Sequence, residues 1–182
     1  MALIIRARSG TTTTTTKLRM GIVLTTKTFM NSDFSITGPA IALAINRSKE
    51  RFNVDIEPYL SLFSTEETSE CRATNTVVLG RVVQALQSSV DVILGPSCTE
   101  DFVLASKLAT VYKVPLLTGA AVLLESSESW VYVSRTGFNV GTEASFFTLI
   151  LKQFGWRHVA VIYEANNVGK TATGQSKLTI DL

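Results

Sequence analysis

The residues best able to do covalent chemistry in this sequence are two cysteines and one histidine. Cys71 and Cys98 lie in the first half of the chain, and His158 stands just before an apolar run near its end. A catalytic thiol needs a basic partner, and a lone histidine in that setting is a poor one. One histidine also cannot form a multi-histidine metal site. These side chains favour neither catalysis nor metal binding, and two buried thiols are the default for a cytosolic chain.

A phosphate-binding loop is suggested by Gly169-Lys170-Thr171, which follows an apolar run. That motif requires a glycine five positions before Gly169, where the chain has Glu164, and a carboxylate there would repel phosphate. No helical pattern follows to supply an amino-terminal dipole. The motif therefore gives only weak support to a cytosolic, flavodoxin-like nucleotide-using enzyme.

Composition narrows the class of protein further. The chain has 182 residues, of which 46% are hydrophobic and 18% charged, with a net charge of +2. This fits one globular domain, or one and a fraction, and gives no strong field for steering nucleic acid. No run approaches the roughly 18 apolar residues of a membrane span. The amino-terminal apolar stretch is cut at Arg6, too early for a secretory signal. We therefore expect no nucleic-acid partner, no membrane segment and no signal peptide in this chain.

Apolar runs alternate with helical patterns and predict the order β-α-β-α-β-α-β-β-α-β. The predicted strands are 18–24, 55–62, 90–94, 114–117, 130–134 and 159–163, and the predicted helices are 38–52, 76–86, 99–111 and 141–155. Because each parallel crossover needs a connecting helix, this order predicts an α/β fold with a mainly parallel, doubly wound sheet. The threonine run within 1–17 and the Asn-, Gly- and Lys-rich segment 165–182 predict a disordered leader and tail.

Three loops follow the carboxyl ends of predicted strands, where open parallel sheets place their ligands. They span 25–37, 95–98 and 118–121, and all are rich in small residues and hydroxyl groups. Glycine lets a backbone approach a ligand closely, and hydroxyls donate and accept hydrogen bonds. Glycine is also needed for turn geometry alone, and both interpretations carry equal weight. The resulting cleft candidates are Thr25, Thr26, Gly95, Pro96, Thr118 and Gly119.

Several short motifs occur in an order and spacing that are specific when taken together. They are Asp91–Cys98 (DVILGPSC), Ala105–Ala109 (ASKLA), Val114–Leu117 (VPLL), Ser134–Thr136 (SRT) and Phe154–Tyr163 (FGWRHVAVIY). This set resembles the receptor family ligand-binding region, the type I periplasmic-binding-protein fold of natriuretic peptide receptors and other receptor guanylate cyclases. Metabotropic glutamate receptors share the fold more distantly. The resemblance implies a first lobe at 18–134 and, at 135–164, the crossover and start of a second lobe that is truncated.

The resemblance also implies a disulfide and an anion site. Cys71 and Cys98 match a disulfide of receptor guanylate cyclases, which would close a loop of about 27 residues and stabilise the fold by roughly 3–4 kcal/mol. Ser64, Ser97 and Cys98 match the chloride site of natriuretic receptors, although Ser97 replaces the glycine usual in that site. The resemblance implies no cofactor beyond this one structural chloride.

The function implied by the resemblance is that of a receptor guanylate cyclase ectodomain, non-catalytic in this chain and on the extracellular side of the plasma membrane. The parent receptor would bind a peptide or small molecule and dimerise through the helices at 76–87 and 102–112. Asn46-Arg47-Ser48 is then a usable glycosylation sequon. The alternatives are a lobe of an amino-acid or small-solute receptor of the same fold, and the nucleotide-using enzyme.

Overall fold

The computed structural model describes residues 14–27, 32–64, 75–119, 131–137 and 140–158. The helices among them are α1 (Phe34–Phe52), α2 (Asn75–Gln87), α3 (Thr99–Tyr112) and α4 (Val140–Phe154). The strands are β1 (Thr16–Ile22), β2 (Thr25–Thr26), β3 (Val54–Leu60), β4 (Phe63–Ser64), β5 (Val92–Leu94), β6 (Leu116–Thr118) and β7 (Val133–Arg135). The predicted alternation is confirmed over this part of the chain. The predicted strand at 159–163, the tail and most of the leader lie outside the described residues.

Five of these strands form one sheet in the order β3-β1-β5-β6-β7, and every pairing in it is parallel. This confirms the predicted parallel sheet. The two-residue strands β2 and β4 pair separately, also in parallel. They were not predicted, because two residues carry no periodic pattern.

The helices cover both faces of the sheet, and the alternation of side chains along β5 shows how. Ile93 is fully buried on the face covered by α2 and α3, together with Phe102. Val92 and Leu94 point to the opposite face, where they join the cluster packed by α1. Because successive side chains of a strand point to opposite faces, a continuous apolar run is what a doubly covered strand requires.

Helix α1 begins earlier than the sequence predicts. It begins at Phe34 rather than near Gly38, because the buried carboxylate of Asp33 accepts a hydrogen bond from the backbone N–H of Ser35 at 2.8 Å. Such a cap satisfies one of the unpaired donors of the first turn. Pro39 consequently lies inside the helix, beyond the first turn, where it removes one intrahelical hydrogen bond. The loop predicted at 25–37 therefore contains β2 and the first turn of α1.

Strand β3 forms one edge of the described sheet. It contains Pro58, which has no N–H to offer a further strand, and it carries the carboxylates Asp55 and Glu57. Within the described residues, no helix is both long enough and apolar enough to cross a bilayer.

Candidate functional site

The carboxyl ends of the parallel strands meet at one edge of the sheet, called here the carboxyl edge, and main-chain hydrogen bonds hold it together. The N–H of Val23 donates to the carbonyl of Leu94 at 2.9 Å, and the N–H of Gly95 donates to that of Leu117 at 2.8 Å. The N–H of Thr136 donates to the carbonyl of Thr118 at 2.9 Å. The cleft candidates after β1, β5 and β6 therefore lie on the edge where such sheets bind ligands.

Gly95 is required by the backbone geometry of this edge, which explains the glycine without a ligand. It is buried, with a φ of 96°, a conformation that strains residues with a side chain. A Cβ at this position would overlap the carbonyl oxygen of Val23 and lie 3.0 Å from Cδ2 of Leu24. Pro96 is buried beside it, and the peptide bond between them is cis. For Gly95, the interpretation based on turn geometry is the better one.

Thr118 and Gly119 differ in what they offer to a ligand. The buried Thr118 hydroxyl donates to the carbonyl of Pro96 at 3.4 Å, so it ties β6 to the turn after β5. Gly119 is exposed, and among the described residues a Cβ there would meet only the hydroxyl oxygen of Thr136, at 3.7 Å. Gly119 therefore leaves its backbone open to an approaching group. Thr136 was not among the predicted site residues, although its position directly after β7 could have indicated it.

Thr25 has the most informative environment of the predicted residues. It is 2% exposed, and its hydroxyl has no hydrogen-bond partner among the described residues. A buried polar group without a partner costs about 1–3 kcal/mol, so such groups are rare and need a reason. Thr25 begins β2, shortly after the end of β1 at the carboxyl edge. A ligand atom or a bound water at this edge would give the hydroxyl its missing partner.

The residues proposed to hold chloride lie on two different elements. Pairing of β2 with β4 places Ser64 opposite Thr26, and Ser64 is exposed. Ser97 is half-buried, and the buried Cys98 occupies the N-cap position of α3. The first turn of α3 carries Glu100 and Asp101. These carboxylates interact favourably with the positive end of the helix dipole, and their negative charge repels an anion close to it. Cys71 lies outside the described residues, so its pairing with Cys98 stays a prediction.

An open pocket of about 450 Å³ lies near the opposite ends of the strands, and no sequence pattern indicated it. Its lining combines Lys17 and Arg19 with carboxylates, notably Glu57. The guanidinium of Arg19 lies 3.7 Å from Glu57, donates to the carbonyl of Ser88 at 2.6 Å, and stacks 5.5 Å above the ring of Tyr59. These contacts join β1 to β3 and to the end of α2. The pocket is thus lined by charges of both signs that pair with one another only in part, and the carboxyl edge remains the candidate site.

Comparisons with known proteins agree with this geometry. Residues 37–174 match the model of the receptor family ligand binding region. The chain is 30% identical over 159 residues to the receptor-type guanylate cyclase gcy-4 of Caenorhabditis elegans, covering 83% of the chain and 13% of that protein. It is 27% identical over 130 residues to the atrial natriuretic peptide receptor 2 of Bos taurus, covering 69% of the chain and 12% of that receptor. The chain thus spans a small part of the length of these relatives.

Solved structures show the same fold at low sequence identity. An ABC transporter substrate-binding protein from Desulfitobacterium hafniense superposes with a TM-score of 0.67 at 11% identity, over 90% of this chain and 47% of that one. The leucine binding protein LivK from Thermotoga maritima superposes with a TM-score of 0.60 at 16% identity, over 90% of this chain and 45% of that one. The fold is therefore periplasmic-binding-protein-like of type I, as predicted, and the chain covers about half of it. With a family model matched over most of its length, the chain belongs to the receptor family ligand binding region.

Proposed function

We propose that this chain is the first lobe, with the start of the second, of the extracellular ligand-binding region of a receptor guanylate cyclase-like membrane receptor. The observation that carries the proposal is the similarity to a receptor-type guanylate cyclase over 83% of the chain. In this proposal the chain performs no catalysis and contributes one wall of a ligand site. The enzymatic part belongs to other regions of the parent receptor.

The surface of α4 supports the presence of a second lobe. The residues that α4 buries, Ala144 and Thr148, are small. Its large side chains face outward instead, with Phe146 59%, Phe147 54% and Leu149 66% exposed. Apolar surface of this extent marks a face that another part of the protein covers. The second lobe of the parent receptor is the occupant we propose.

The ligand site of the parent receptor would lie between this second lobe and the carboxyl edge. Thr25 would give its unpaired hydroxyl to the ligand or to a water that the ligand orders, and the open backbone at Gly119 would line the same wall. The ligand class remains that of the family, a peptide or a small molecule. The structural chloride at Ser64, Ser97 and Cys98 is likewise kept as a proposal. The proposal is supported if added chloride raises the melting temperature of the parent chain but not that of the Ser64→Ala variant.

Dimerisation of the parent receptor through the first lobe is a further part of the proposal. Helices α2 and α3 pack against each other, and they leave Val77, Val111 and Tyr112 exposed. These apolar side chains could contact the same helices of a second copy. Sedimentation of the Val111→Asp variant as a monomer under conditions where the parent chain is dimeric would support this face.

The experiment that tests the extracellular assignment uses the two cysteines. The chain is produced in the secretory pathway, and its disulfides are mapped by mass spectrometry after proteolysis. We expect a peptide pair linking Cys71 to Cys98, because a secreted chain is oxidised and the loop of about 27 residues is stabilised by roughly 3–4 kcal/mol. Free thiols at both positions would count against an extracellular protein.

Single and double substitutions give the matched control for this experiment. If the two cysteines pair, Cys71→Ser and Cys98→Ser each lower the free energy of unfolding by a similar amount, and the double variant loses little more than either. Losses that add in full would show two independent thiols, as expected for a cytosolic chain.

A further inference from the structure

The outer face of α1 carries a motif that neither the core nor the carboxyl edge uses. Asn46-Arg47-Ser48 has the acceptor pattern Asn-x-Ser/Thr for asparagine-linked glycans. It lies in the middle of α1, and Asn46 is exposed. No hydrogen bond ties its side-chain amide to the other described residues. Asn46 is therefore accessible to a modifying enzyme.

The position of Asn46 around α1 directs it away from the sheet. Phe34, Ile41 and Ile45 form the stripe that packs on the sheet. Because an α-helix turns about 100° per residue, Asn46 lies about 100° around the helix from Ile45. A bulky group attached there would extend into solvent without displacing a core residue.

The neighbouring surface on α1 is apolar and exposed. Leu43 is 51% exposed and Ile36 58% exposed, and one turn separates Leu43 from Asn46. Residues three apart on a helix are neighbours, with about 5–6 Å between their Cβ atoms. Sugar rings attached at Asn46 would therefore cover Leu43 and remove apolar surface from water.

We propose that Asn46 carries an N-linked glycan that covers Leu43 and keeps the outer face of α1 out of protein–protein contacts. This proposal rests on the proposed function, since the modification takes place in the secretory lumen. The side-chain amide nitrogen of Asn46 forms a bond to C1 of the sugar and loses a proton. The bond between C1 and the phosphate oxygen of a lipid diphosphate-linked oligosaccharide breaks, and the lipid diphosphate leaves.

The test is to express the whole chain in animal cells behind a cleavable secretion signal. Gel mobility is compared before and after treatment with a glycosidase that removes N-linked glycans. We expect the parent chain to lose one glycan on treatment. Asn46→Gln and Ser48→Ala should migrate as the treated chain does, whereas Arg47→Lys, which keeps the sequon, should retain the shift.

Cleavage of the secretion signal shows that the chain has entered the lumen, so a cleaved but unshifted parent chain overturns the proposal whether or not it has folded. That result would leave the receptor assignment standing if Cys71 and Cys98 are linked in the same sample. A shift that survives in both Asn46→Gln and Ser48→Ala would also overturn it. To test the covering of Leu43, binding of an apolar dye is compared with and without the glycan. Equal binding would refute that part.

Discussion

Replacing Gly95 with alanine tests how the carboxyl edge is held together. The φ of Gly95 is 96°, and an added Cβ would overlap the carbonyl oxygen of Val23. That oxygen belongs to the backbone and cannot swing away as the end of a side chain can. The N–H of Val23 donates to the carbonyl of Leu94 at 2.9 Å, which fixes the spacing between the two segments. Relief of the overlap therefore requires that they move apart.

The expected cost follows from three contributions. A left-handed backbone costs a residue with a side chain about 1–2 kcal/mol, overpacking about 1–3 kcal/mol, and the loss of one hydrogen bond about 1 kcal/mol. We expect Gly95→Ala to lower the free energy of unfolding by about 4 kcal/mol, out of the about 5–15 kcal/mol typical of a domain. With a urea m-value of about 2 kcal/mol/M, the unfolding midpoint should fall by about 2 M.

Two other glycines separate backbone strain from overlap. Gly155 has a φ of 64° with nothing within 4 Å of an added Cβ, so Gly155→Ala should cost about 1 kcal/mol through strain alone. Gly80 lies in α2 with open space around it, so Gly80→Ala should gain about 0.5–1 kcal/mol. Urea unfolding followed by circular dichroism measures all three. A loss for Gly95→Ala no larger than that for Gly155→Ala would refute the packing argument.

Two further predictions concern the ends of helices. Asp33→Ala should lower the free energy of unfolding by about 1–2 kcal/mol, because it removes the cap on α1. Asp33→Asn should keep most of the stability that the cap provides, because an asparagine side chain can also accept the capping hydrogen bond. Equal unfolding midpoints for the two variants would contradict a capping role. Lys113 follows α3 with a φ of 56°, a backbone conformation that glycine adopts without strain. Lys113→Gly should therefore raise the free energy of unfolding by up to about 1 kcal/mol, which is measured as a higher unfolding midpoint. Lys113→Ala serves as the control and should bring no such gain, and a lower midpoint for Lys113→Gly would show that strain is absent there.

The sheet was predictable largely from its central strand β5, which is covered on both faces. The run from Val92 to Leu94 is apolar without interruption, as burial on both sides demands, and helical patterns separate it from the neighbouring runs. Right-handed crossover rules then leave few ways to arrange such a chain. The order β3-β1-β5-β6-β7 is one of them.

The start of α1 was not predictable from the same patterns. Pro39 is typical of a first helical turn, and the hydroxyl-rich residues before it are typical of a loop. The helix nevertheless begins at Phe34, because the buried carboxylate of Asp33 accepts a hydrogen bond from a backbone donor of the first turn that would otherwise be unpaired. Whether such a cap forms depends on its burial, which is decided by tertiary packing.

The candidate site was predictable in position but only partly in chemistry. The rule that ligands bind beyond the carboxyl ends of parallel strands selected the loops after β1, β5 and β6, and the structure places these loops at the carboxyl edge. It could not separate Gly95, which is required by the close carbonyl of Val23, from Gly119, which is open. Nor could it show that the hydroxyl of Thr25 is buried without a partner. These distinctions depend on distances between segments far apart in the chain.

The outer strand β3 of the described sheet has a consequence for self-association of the chain through its sheet edge. Crowded domains with open sheet edges tend to add strands to one another and to form fibres. Pro58 interrupts the ladder that an incoming strand would need, and the edge carries the charged side chains of Asp55 and Glu57, which lie 3.0 Å from Lys49 and 3.7 Å from Arg19, respectively. Addition of a further strand to β3 is therefore discouraged at this edge of the described sheet.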